Sequence, residues 1–203
     1  MVALIEYGAG NIFSVKNALD YLGIENKLTA DADEIRNADA IILPGVGAFG
    51  AAMNMLEKSG LIPVIKEQAK IKPFLGICLG MQVLFERGYE FGEFEGLGLI
   101  PGKVDLITDP GLIVPHMGWN KLEIEQESPI LDGVTDSDYV YFVHSYKAFC
   151  DKKNLIAYSE YGSVVPAMVT DGKYVFGAQF HPEKSGETGL KILSNFTKLI
   201  KEA

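Results

Sequence analysis

Pro73-Phe74-Leu75-Gly76-Ile77-Cys78-Leu79-Gly80-Met81-Gln82 reads as a buried apolar strand, a sharp turn with glycine on both sides of a cysteine, and the start of a helix. Gly76-x-Cys78-x-Gly80 is the cysteine form of a nucleophile elbow. Such a turn lifts the side chain out at the carboxyl end of its strand, and the glycines let neighbouring backbone pass close by. The backbone N–H groups that open the next helix favour a thiolate. A free thiol has a pKa near about 8.5 and is mostly protonated at neutral pH, so this assistance matters. The helix is expected to continue until Gly88 stops it.

Working outward, residues 2–7, 24–28 and 40–43 also read as strands. Between them, residues 12–22 and 31–37 read as helices. Two more helices follow, one carrying Met53 and Leu56 on a single face and one spanning about residues 61–70. Strand–helix alternation with short connections predicts an α/β fold, with a mostly parallel central sheet flanked by helices. Ligands of such sheets bind at the carboxyl ends of the strands. The loops 8–11 and 44–47 and the Cys78 turn all fall there. From about Leu97 the pattern changes to short β segments at 103–107, 120–124, 139–143, 155–161, 164–170 and 174–179. These predict an additional antiparallel β section in the C-terminal half. Asp171-Gly172 reads as a two-residue hairpin turn, and residues 187–201 as a closing amphipathic helix.

The 203 residues, 48% hydrophobic and 22% charged, suit one soluble globular domain covering 1–203. No apolar run is long enough to span a bilayer, and the first residues lack the pattern of a secretory signal. Two cysteines make no disulfide framework and point to a reducing cytoplasm. The net charge of −9 argues against nonspecific nucleic-acid binding. Gly8-x-Gly10 lacks the third glycine of a dinucleotide loop, because Phe13 stands in its place. No cysteine–histidine spacing suggests a metal site.

A nucleophilic cysteine needs a base, and the base needs an orienting group. Of the three histidines, His181 ends an apolar strand in Gly177-Ala178-Gln179-Phe180-His181-Pro182-Glu183. Pro182 keeps His181 extended, and in an extended chain Glu183 projects to the same side as the imidazole. Cys78, His181 and Glu183 therefore form a candidate catalytic triad. His116 and His144 read as structural residues or shapers of a pocket and interface. Cys150 reads as core, and Glu93 and Glu95, beside Phe91 and Phe94, as a solvated turn.

These motifs resemble those of class I, triad-type glutamine amidotransferases. Leu43-Pro44-Gly45-Val46-Gly47-Ala48-Phe49, Pro115-His116-Met117-Gly118-Trp119-Asn120, Tyr141-Phe142-Val143-His144-Ser145-Tyr146 and Phe180-His181-Pro182-Glu183-Lys184-Ser185 carry the likeness further. Within that group the chain resembles the glutaminase subunits of imidazole glycerol phosphate synthase, over essentially its whole length. The resemblance implies hydrolysis of L-glutamine to glutamate and ammonia, with no cofactor. Cys78 would attack the amide carbonyl, and His181 would protonate the departing ammonia and then activate water. Leu79 and the Gly45-Val46-Gly47 loop would supply oxyanion donors, and a peptide flip in that loop would act as a switch. Gln82 and the backbone around His144, Ser145 and Tyr146 would bind the substrate. Ammonia would pass to a (β/α)8-barrel cyclase subunit in a heterodimer of the histidine pathway, across an interface near Asn11, Trp119, Tyr141 and Lys184. The pyridoxal-phosphate and anthranilate types of glutaminase subunit, and a non-catalytic regulatory subunit, are the competing readings. The Pro115–Asn120 block disfavours the first two and the intact triad the last.

Overall fold

The computed structural model describes residues 1–108 and 111–201. At its centre is an eight-stranded sheet. The strand order is Asn26–Thr29, Val2–Ile5, Ala40–Gly45, Phe74–Cys78, Val175–Ala178, Ser163–Thr170, Leu155–Tyr161 and Glu123–Ile124. The first five run parallel and the last three pair antiparallel. Val2–Ile5, Ala40–Gly45, Phe74–Cys78 and Val175–Ala178 are buried along their whole length. Strands covered on both faces need apolar residues at every position, hence the continuous runs Val-Ala-Leu-Ile and Ala-Ile-Ile-Leu.

Alternate side chains of these strands feed two cores. Ile5, Ile41, Leu43 and Phe74 meet Leu56 of the helix Phe49–Ser59 and Val64 and Ile65 of the helix Ile62–Gln68. Leu4, Ile42, Leu75 and Ile77 meet Val15 and Leu19 of the helix Ile12–Tyr21 on the other face. Ile192, Leu193 and Phe196 of the helix Gly186–Lys198 join them there. Each such burial contributes about 1.5–3 kcal/mol. Local chemistry marks the helix ends. Asp31 accepts from the backbone N–H of Asp33 (2.8 Å) and Glu34 (3.0 Å) at the start of Ala32–Asn37. Gly60, at φ +71°, ends Phe49–Ser59.

Two smaller sheets stand beside the main one. A four-stranded sheet has the order Tyr146–Phe149, Ile100–Leu106, Phe85–Gly88, Phe94–Glu95. A two-stranded antiparallel ribbon pairs His116–Lys121 with Tyr139–His144. Three expectations are corrected here. The helix after Cys78 is a single turn, Leu79–Gln82, and Phe85–Gly88 is a strand rather than its continuation to Gly88. The Asp171-Gly172 connection spans four residues, because the Asp171 carboxylate gathers the N–H groups of Lys173, Tyr174 and Val175. The segment around Phe94 is not merely a solvated turn. Phe94 belongs to a strand and packs its ring over Gly50.

Candidate active site

Sheet register assembles the site. Cys78 ends its strand directly opposite Gly45 of Ala40–Gly45. On its other side, Gly177 pairs with Gly76 and Ala178 with Ile77. His181 therefore leaves the sheet one strand away from the cysteine, and the Val46-Gly47 loop leaves it one strand away on the opposite flank.

The elbow is strained and tightly enclosed. Cys78 has φ +55° and ψ −112°, a conformation that costs a non-glycine residue about 1–3 kcal/mol. A Cβ at Gly80 would land on the Leu43 carbonyl oxygen, and one at Gly76 would lie 2.5 Å from the Gly80 carbonyl oxygen. Glycine at both positions is thus dictated by space. Cys78 is itself almost wholly buried.

His181 Nδ1 lies 2.8 Å from Glu183 Oε1, and both side chains are buried. His181 itself is extended, as the sequence leads one to expect, but the extension does not continue to Glu183. Pro182–Lys184 forms a single 3-10 turn that folds Glu183 back onto the ring. Burial alone would depress the His181 pKa. Hydrogen bonds to Cys78 and Glu183, and the negative charge on each, outweigh it and push the pKa up to about 9. The imidazolium is therefore the resting form at neutral pH, beside a sulfur that can act as a nucleophile. Such a cation can hand a proton to a leaving amine and recover it from water. Two bonds anchor this turn to the ribbon: His181 N–H donates to the Tyr141 carbonyl (3.0 Å), and Tyr141 N–H donates to Ser185 Oγ (3.0 Å).

A cavity of about 350 Å³ opens over the sulfur, at the small end of ligand sites. Val46, Gly47 and Leu79 form one wall, and Gln82, His144, Ser145 and Tyr146 another. Gly45 is not part of the wall. It packs beneath, where an added Cβ would lie 2.8 Å from Tyr7 Oη and 2.9 Å from Gly80 N. The Tyr7 hydroxyl donates to the Pro44 carbonyl at 3.0 Å, and burial, then the nearby Cys78 charge, pushes its pKa up. Both amide protons of Gln82 are committed, to the Tyr146 carbonyl and to Gln179 Oε1, each at 3.0 Å. Only its Oε1 is left to meet a ligand, and that atom can only accept.

Sequence reasoning missed Glu90, which also lines the cavity and accepts the Phe49 backbone N–H at 2.7 Å. Its approach depends on the short strand Phe85–Gly88, for which the sequence offered no periodic signal. Trp119 and Tyr141 face each other across the ribbon, rings edge to face at 6.1 Å. Trp119 is exposed, as is Lys184 on the histidine turn. Asn11 precedes the helix Ile12–Tyr21, which packs against that turn. Cys150 is partly buried, and burial pushes its thiol up to about 11, so it is no rival nucleophile. Two further clefts, beside Pro129, hold neither cysteine nor histidine.

The chain is 51% identical over 201 residues to the imidazole glycerol phosphate synthase subunit HisH of Bacillus cereus, covering 98% of this chain and 95% of that one. It is 51% identical over 203 residues to the protein of the same name from Caldanaerobacter subterraneus, covering 99% of each. Its fold is similar to a glutamine amidotransferase crystal structure (TM-score 0.76, 20% identity, 99% and 100% coverage). It is also similar to the PurLQS structure from Thermotoga maritima (TM-score 0.78, 21% identity, 98% of each chain). The class-I glutamine amidotransferase profile matches residues 3–199, and the chain belongs to that family.

Proposed function

We propose that the chain is the glutaminase subunit of an imidazole glycerol phosphate synthase, hydrolysing L-glutamine and passing ammonia to a cyclase partner. Half-identity along nearly the full length of subunits bearing that name supports the assignment. The observation that carries the chemistry is the buried Cys78–His181–Glu183 cluster at the base of an amino-acid-sized cavity. In this reading Cys78 attacks the glutamine side-chain carbonyl. The developing oxyanion takes N–H bonds from Leu79 and from the Val46-Gly47 loop; each such donor is worth about 10²–10³ in rate. Glu183 fixes the His181 tautomer and stabilises its cation. The α-ammonium of glutamine meets Gln82 Oε1 and the Glu90 carboxylate, while backbone at His144, Ser145 and Tyr146 holds the other end.

The cyclase, a (β/α)8 barrel, docks on the rim where Asn11, Trp119, Tyr141 and Lys184 lie. There the ammonia completes imidazole glycerol phosphate and releases AICAR. Exposed Phe13 and Met117 add apolar surface suited to a partner. The glutaminase works as one domain in the cytoplasm; among the described residues no helix is long and apolar enough to cross a membrane.

The test is glutamate release by the purified chain, alone and with the cyclase and its ligand. Release is expected to be slow alone, to rise strongly in the complex, and to fall by about 10⁴-fold or more in Cys78→Ala. Full partner-dependent activity in that variant would overturn the mechanism.

A further inference from the structure

A line of hydrogen bonds connects the two-stranded ribbon to the glutamine cavity. His116 Nε2 lies 2.9 Å from Asn120 Oδ1, and His116 Nδ1 meets His144 Nε2 at 3.1 Å. His144 Nδ1 meets the Tyr146 carbonyl oxygen at 2.8 Å. The same carbonyl accepts from Gln82 Nε2, and Gln82 in turn bonds Gln179, whose Nε2 lies 3.9 Å from Cys78 Sγ. Alternation along the ribbon strand sets His116 and Asn120 on one face and the exposed Met117 and Trp119 on the other. The line thus begins directly behind surface that a partner can cover.

Donor and acceptor rules leave one polarity for this line. A carbonyl only accepts, so His144 carries its proton on Nδ1. Burial pushes the His144 pKa down to about 3; the ring is neutral and its Nε2 must accept. His116 Nδ1 therefore donates. Burial lowers the His116 pKa as well, so that ring is neutral too and its Nε2 accepts. Asn120 then offers its amide N–H, an end-for-end turn of the amide that leaves its outline unchanged and gives up the long 3.4 Å bond from Asn120 Nδ2 to the Glu160 carbonyl oxygen. The His116 ring is fully buried and stacked between Phe142 (4.6 Å) and Tyr161 (4.1 Å), which holds it in the plane this polarity requires.

We infer that His116 and His144 are positioning residues for substrate. They hold the Tyr146 carbonyl where it orients Gln82, and they carry no proton in the reaction. The inference rests on the glutaminase reading above, since Gln82 matters here only if the cavity takes glutamine. Asn120 sets the tautomer of the pair. Without it, His116 is free to move its proton to Nε2, which would leave two acceptors facing each other between the rings.

The test is steady-state glutamate release by the complex with the cyclase. His116→Phe keeps the ring stack and removes both hydrogen bonds. It is expected to raise the KM for glutamine about tenfold, as befits a positioned buried hydrogen bond, while kcat stays within about threefold. Iodoacetamide, which makes no use of the α-amino end, should alkylate Cys78 at an unchanged rate. His116→Gln, which keeps one donor and one acceptor without matching both ring positions, should reverse part of the KM rise of His116→Phe. If His116→Phe does not fold, Asn120→Ala at the ribbon edge decides: a KM raised about two- to fivefold supports the inference, and an unchanged KM overturns it. A fall in kcat with KM unchanged in His116→Phe would also overturn it. Failure of the glutaminase reading itself would look different, because the unmodified complex would then release no glutamate.

Discussion

The Cys78 turn and the Val46-Gly47 loop leave adjacent parallel strands at the same level of the sheet, and they are built in opposite ways. Beneath the cysteine no space remains: Gly76 and Gly80 are jammed against backbone carbonyls, and the cysteine sits in a strained conformation. Around the loop there is room. Val46 is exposed, and a Cβ added at Gly47 would meet nothing within 4 Å. Cys78 is held by packing that cannot relax, whereas the Val46-Gly47 loop beside it is held mainly by its own backbone. With the loop as the donor proposed above, a site built this way is switched through the loop without moving Cys78.

The sharpest way to break the comparison is Gly80→Ala. Its Cβ would collide with the Leu43 carbonyl, and a backbone carbonyl in mid-sheet cannot step aside. Little soluble, folded protein is expected, read by yield and by the thermal melt. A stable Gly80→Ala protein with native activity would show that the elbow is looser than its packing implies.

Glu183→Gln probes the opposite flank of the elbow. Glutamine can still accept from His181 Nδ1, but the charge is gone. Turnover should fall by about 10²–10⁴-fold with KM for glutamine little changed. Stability should respond as well. The folded His181 pKa is raised from 6.5 to about 9, so its stabilisation is fully present below pH 6.5 and is lost as pH rises through about 9. Because the Glu183 hydrogen bond and charge are among the causes raising that pKa, the variant's Tm should fall less between pH 6.5 and 9 than the wild type's. Parallel Tm curves would deny the carboxylate its part in holding the imidazolium.

Gly47→Ala addresses the open loop. With φ at +108° the position suits glycine alone, and the surrounding space means that any loss comes from backbone strain rather than collision. Turnover in the complex should drop about 10- to 100-fold while the Tm moves by no more than a few degrees. Gly45→Ala, at the start of the same loop, would be a poor test of a flip. Its Cβ would press on Tyr7 Oη and on Gly80 N, disturbing the elbow along with the loop.

The strands Val2–Ile5, Ala40–Gly45 and Phe74–Cys78 were legible because both their faces are covered, so each reads as an apolar run; the edge strand Asn26–Thr29 is half-exposed and polar, and Val175–Ala178, read with the C-terminal β segments, joins the sheet in parallel. The meeting of Cys78, His181 and Glu183 was legible because glycines around a cysteine and a proline after a histidine are local signals. The Leu79–Phe85 run defeated the same reading. Every residue in it is buried, so no helical face stands out, and a one-turn helix followed by a strand looks like a longer helix. Glu90 was lost with it, since its place over the cavity follows from that strand. The Glu183 contact was foreseen for the wrong local reason, an extended chain where a 3-10 turn stands. Nothing in the spacing of His116, His144 and Gln82 announces a shared hydrogen-bond line, because three separate sheets must meet before it exists.

Tyr7→Phe asks how much of the loop's anchoring is shared with the elbow. The Tyr7 hydroxyl is the only part of that side chain removed, and with it the bond to the Pro44 carbonyl at the point where the strand gives way to the loop. A buried neutral hydrogen bond is worth about 1 kcal/mol net, so the Tm should fall by only a few degrees. The variant also clears space beside Gly45, the residue opposite Cys78 in the sheet. If elbow and loop are independent, kcat in the complex should change by less than about threefold and the iodoacetamide rate at Cys78 not at all. If instead both rates fall together by tenfold, Tyr7 ties the two regions into one unit. The contrast between a fixed nucleophile and an adjustable donor loop would then be wrong.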